Sequence, residues 1–100
     1  MSRQSLVHRI IGAENITSIT SSVQSGAAPF GANVARVVTT AAVNIVINNN
    51  PTATAAAGAA IRVTDEAMFV VSPSTTVGGT DGDKVASIGT ATVNVTWLAG

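Results

Sequence analysis

Val93, Val95 and Trp97 alternate with Thr92, Asn94 and Thr96. That apolar–polar period of two predicts a strand with one buried face. Lys84–Ile88 predicts a shorter strand before it, with Gly89-Thr90 as the turn between them. Val43, Ile45 and Ile47 share one face of a further strand, which the pattern pairs with Val34–Thr39 through Thr40-Ala41-Ala42. Residues 59–63 and 67–71 read as a third pair joined at Thr64-Asp65-Glu66, with Ile61, Val63, Phe69 and Val71 as expected core.

Upstream, residues 6–11 suit either a strand or an arm. Ile16, Ile19 and Val23 recur at near-helical spacing, but the intervening Thr and Ser favour a strand or turn. Gly26-Ala27-Ala28-Pro29 then breaks the chain. Asn48-Asn49-Asn50-Pro51 ends a strand, because Asn tolerates turn conformations and Pro lacks a ladder donor. Residues 72–83 hold Pro73, Gly78, Gly79 and Gly82 and read as a second long loop, mobile unless something covers it. Six to eight closely spaced strands predict an all-β fold. The expected architecture is a single small antiparallel β-sandwich, jelly-roll or Ig-like, with an N-terminal arm. On this reading residues 1–25 form the arm and first strand, and residues 26–100 the sandwich.

Composition agrees. The chain has 17 Ala, 14 Val, 13 Thr and 8 Ile but only two Leu, and branched residues fit a pleated surface better than a helix. One hundred residues suffice for one domain with a thin core. Ten charges cancel to a net charge of zero, which argues against nucleic acid as a partner, since phosphate binding needs concentrated Lys and Arg. The absence of cysteine excludes disulfides and thiolate-bound zinc. No apolar run is long enough for a membrane helix, and the start lacks the apolar stretch of a secretory signal. A complete, leaderless protein made in a cytoplasm is therefore expected.

Few residues offer chemistry. His8 is the single histidine. A triad would need it beside Ser2 or Ser5 and Glu14, with no nucleophile elbow to position them. Thr80-Asp81-Gly82-Asp83 matches half of a calcium loop but lacks a distal bidentate acid, so a solvated Asp-Gly turn is the better reading. Adjacent Asp65 and Glu66 would point to opposite faces of a strand, a poor acid–base pair. Trp97 lies in phase with Val93 and Val95, which places it in the core or an interface rather than on a ligand platform. The expectation is a non-enzyme with no catalytic residue, cofactor or metal.

Two stretches carry a resemblance. The first runs Val34-Ala35-Arg36-Val37-Val38-Thr39-Thr40, Val43-Asn44-Ile45-Val46-Ile47 and Asn50-Pro51-Thr52-Ala53-Thr54-Ala55. The second runs Phe69-Val70-Val71-Ser72-Pro73, Gly82-Asp83-Lys84-Val85-Ala86-Ser87-Ile88 and Thr92-Val93-Asn94-Val95-Thr96. Over residues 30–98 they resemble small β-sandwich structural proteins of tailed bacteriophages, of the head decoration or cement kind. Residues 74–81 are an insertion relative to that pattern. The resemblance implies a virion protein, made in the host cytoplasm, that binds the major capsid protein or other virion proteins. A receptor- or glycan-binding module of a tail or head fibre is the alternative.

Low charge and a mean hydropathy of +0.43 point independently to buried interaction surface and a homo-oligomer, with no membrane partner. Arg3, Leu6, His8, Arg9 and Ile10 of the arm, together with Trp97, are the expected interface residues. The arm would add a strand to a sheet edge of another subunit.

Overall fold

The computed structural model of the chain describes residues 9–18, 21–51 and 61–99. Eight strands account for most of them: β1 (Arg9–Ser18), β2 (Val23–Gln24), β3 (Val34–Thr39), β4 (Val43–Asn48), β5 (Ile61–Val63), β6 (Glu66–Val70), β7 (Lys84–Ile88) and β8 (Ala91–Ala99). β7 coincides with its predicted bounds, and β8 extends the predicted final strand at both ends. There is no helix among the described residues.

The strands form two four-stranded antiparallel sheets, β1-β8-β3-β6 and β2-β7-β4-β5. β1 pairs with β8, β2 with β7, β3 with β6 and β4 with β5. The chain is thus a long antiparallel ribbon, bent between β4 and β5 and then rolled. Pairing of β3 with β8 and of β4 with β7 closes the roll. This winding selects the jelly roll from the two sandwich architectures the sequence allows.

None of the three expected hairpins forms. β3 and β4, β5 and β6, and β7 and β8 each lie in opposite sheets. Thr40-Ala41-Ala42, Thr64-Asp65 and Gly89-Thr90 are therefore arches across the core. The reason is geometric. Alternation says which side chains face inward, and strands joined by an arch or by a hairpin show the same alternation. At the first arch Thr39 Oγ1 donates to the Ala41 carbonyl, and Thr40 N–H donates to Thr92 O at 3.1 Å. The neighbouring arch places Asp65 O 2.9 Å from Thr39 N.

The core lies between the sheets. Val37, Val43, Ile45, Val85, Val93 and Val95 are essentially inaccessible, and Trp97 joins the same cluster. Val63 and Val71 are buried as expected, while Phe69 is half-buried. Ile61 departs from expectation at 57% exposure. It is in register with buried Ile45, but it opens a three-residue edge strand at the mouth of the sandwich. Ile16 is buried in β1 and Val23 half-buried in β2; Ile19 lies outside the described residues. β1 and β2 both pair with C-terminal strands, so the sheets incorporate residues on both sides of position 25.

Candidate functional site

The connections sort to two ends. Ser18 is partnered with Ala91 and Thr39 with Val93, so the arches gather at one end. The long connections 25–33 and 71–83 occupy the other, beside the pair Arg9 and Ala99. There the two loops lock together. Ser74, 1% exposed, donates from Oγ to Ala28 O at 2.7 Å and accepts from Gly82 N–H at 3.0 Å. Ala28 N–H donates to Asp83 O, and Val71 N–H to Asn33 O. A Cβ on Gly82 would fall 2.5 Å from Ala28 O, so only glycine allows this approach. The 71–83 loop is tied at Ser74 and Gly82, while residues 75–78 stay exposed.

Its carboxylates are part of the tie. Asp83 Oδ2 accepts from Ser72 N–H at 2.9 Å. Asp81 accepts from the Thr75 hydroxyl at 2.7 Å and the Thr75 N–H at 3.0 Å. Those two bonds, the hydroxyl's foremost, hold the Asp81 carboxyl below its ordinary value. The geometry is that of a closed turn, and no cluster of three metal-ligating side chains occurs among the described residues. Phe30 and Val77 project from this end, 53% and 85% exposed.

Arg3, Leu6 and His8 of the expected interface lie outside the described residues, as do Ser2 and Ser5. Arg9 and Ile10 are exposed on β1, partnered with Ala99 and Leu98. Arg9 and Ile10, expected in the arm, thus belong to the first strand. Trp97 is 3% exposed and a core residue of its own chain. Glu14 accepts from Gly26 N–H at 3.1 Å, which fixes its carboxylate in a structural contact between β1 and the segment after β2.

Sequence reasoning missed a surface that only register assembles. Ile10 is opposite Leu98, Leu98 opposite Val34, and Val34 opposite Val70. These four residues make an apolar row across the outer face of the first sheet, one per strand, with Ile10 and Val70 exposed, Val34 half-buried and Leu98 buried. The next row adds Met68 beside Arg36. Arg36 Nε donates to Glu66 Oε2 at 2.8 Å, and that bond together with the opposite charge lowers the Glu66 pKa and raises that of Arg36. No contiguous stretch of sequence contains the row, so no periodicity reveals it. Towards the arches the same face turns polar: Asn94 Nδ2 donates to Asn15 Oδ1 and Thr96 Oγ1 to Asn94 Oδ1.

Comparison with protein-family models, with curated proteins and with solved structures finds no significant match.

Proposed function

We propose that this chain is a virion structural protein, a head decoration or cement protein that binds a bacteriophage capsid and stabilises it. The row Ile10, Leu98, Val34 and Val70 carries this reading. Its exposed members, Ile10 and Val70, flank half-buried Val34 and buried Leu98 on a sheet face with few charges, and exposed apolar surface of this kind marks a docking site. The jelly-roll winding adds support, because viral capsid domains share it. In this role the chain sits on the virion, contacts the major capsid protein or a neighbouring virion protein, self-associates, and performs no reaction.

Incubation with undecorated capsids of tailed phages, followed by particle imaging, tests the reading. The expected result is many ordered copies per shell and a higher temperature of capsid opening. Ile10→Lys and Val34→Glu place charges in the row and should abolish attachment. A chain that binds no shell, or whose variants attach as well as the parent, overturns the proposal.

Exposed Phe30 beside the interlocked loops favours one second reading, the receptor- or glycan-binding module. An exposed aromatic ring at a loop end offers a stacking face for a sugar. Thermal stabilisation by a glycan, lost in Phe30→Ala, would support that module; a flat melting profile across a glycan panel would exclude it.

A further inference from the structure

Every open sheet leaves edges with unpaired backbone groups, and natural proteins blunt them. Three of the four edges here are blunted. β1 carries a register shift between Ile10 and Gly12 and turns the charged Glu14 to the same face as buried Val95, its partner. β2 has two residues and β5 three. β6 has five residues, partnered to β3 without a register break. It contains neither Lys nor Pro, and its one charge, Glu66, is bound to Arg36 of the same chain.

The hydrogen-bond phase of β6 follows from its ends. Val71 N–H donates to Asn33 O and Thr39 N–H to Asp65 O. Antiparallel pairs alternate between bonded and non-bonded, so Ala67 and Phe69 bond β3. The N–H and C=O groups of Glu66, Met68 and Val70 then point away from the sheet. Met68 and Val70 are 48% and 87% exposed. Among the described residues no strand lies beyond them.

We propose that this edge is an interface between two copies of the chain, with β6 of each joined antiparallel about a two-fold axis at Met68. The choice of a second copy rests on self-complementarity. Only outward-pointing residues can bond across the edge, and Glu66, Met68 and Val70 are spaced so that Met68 meets Met68 of the second copy. Glu66 then exchanges bonds with the second copy's Val70, and Val70 with its Glu66. On the inner face Phe69 lies opposite Ala67 of the second copy, large against small, covering a ring the monomer leaves half-buried. The neighbouring edge strand β5 presents Ile61 on the same side of the sandwich. With Glu66 neutralised by Arg36, no charge blocks the approach. A two-fold contact of this kind is closed, so it ends at the dimer.

The pairing specifies the self-association in the virion reading but does not require a capsid, so it is tested on the isolated full chain. The chain has no cysteine, and Met68→Cys introduces a single thiol. Directly opposed bonded residues lie about 5.5 Å apart at Cα, within the roughly 4.4–6.8 Å that a disulfide spans. Mild oxidation should link Met68→Cys chains into a dimer, while Thr92→Cys, exposed elsewhere on the same face, should stay monomeric. Sedimentation should show a dimer for the parent chain and a monomer for Met68→Lys. Val70→Lys serves as the second variant, and circular dichroism verifies that each folds. A parent chain that remains monomeric up to millimolar concentration overturns the proposal. So does a dimer that survives both lysine variants, or one whose Met68→Cys chains link no better than Thr92→Cys. Failure of capsid binding alone leaves these outcomes unaffected.

Discussion

Gly89 has φ of 140°, and a Cβ there would lie 3.0 Å from Ala42 O and 3.1 Å from Val43 Cγ1. One arch is thereby pressed onto another. Gly31 also has positive φ, 93°, but nothing within 4 Å of the corresponding position. Gly31→Ala should therefore cost about 1–2 kcal/mol of backbone strain, and Gly89→Ala more than that, because strain and collision add. Urea melts of the two variants check the order. Trp97, buried among Val93, Val95 and the rest of the cluster, should cost about 3–5 kcal/mol when truncated to Ala. Its emission in the parent should be blue-shifted and poorly quenched by acrylamide. Asp81 makes a pH-dependent contribution of definite sign. Its folded pKa is depressed below 3.8 by the Thr75 bonds, so the contribution is present above that value and lost as pH falls through the lower folded pKa. The melting-temperature gap between parent and Asp81→Ala should hold near neutral pH and close in acid. A gap that widens in acid would contradict this account.

Strands were largely legible at the level of the element, and their neighbours were not. Val93, Val95 and Trp97 announce the inner face of β8 by alternation, and Lys84–Ile88 announces β7. Lateral partners depend on whether Thr40-Ala41-Ala42 turns within a sheet or crosses between sheets, and the inward set is the same in both cases. Local contacts settle it, through the Thr39 hydroxyl and the close approach that Gly89 permits, and such contacts have no periodic signature. The same limit applies to the candidate surfaces. Arg9 and Ile10 could be named from the sequence, but Val34, Met68 and Val70 join Ile10 on one face only through register. Residues 2–8 of the expected arm lie outside the described residues. Deleting them should preserve the melting temperature, because Arg9–Ser18 keeps its pairing with β8; if the arm docks as expected, the same deletion abolishes capsid attachment. Deleting residues 2–18 should unfold the protein, since it strips a neighbour from the strand that carries Trp97.

For the molecule as a whole, the rolled ribbon makes nearly every strand pair non-local. β1 must find β8 across the length of the chain, so refolding should fall in the slow range of milliseconds to seconds seen for all-β topologies. Stopped-flow Trp97 fluorescence reads it directly. The same pairing leaves Arg9 and Ala99 as direct neighbours. With residues 1–8 and 100 removed, a short Gly-Ser linker can therefore join Ala99 to Arg9, and the chain can be reopened between Val77 and Gly78, where exposure is high and nothing crowds the glycine. In such a circular permutant the costliest loop closure becomes a hairpin joined by the linker. The permutant should keep the circular dichroism of the parent and refold faster. Order of synthesis and order in space are separable in this protein: the sheets need β1 beside β8, and are indifferent to which is made first.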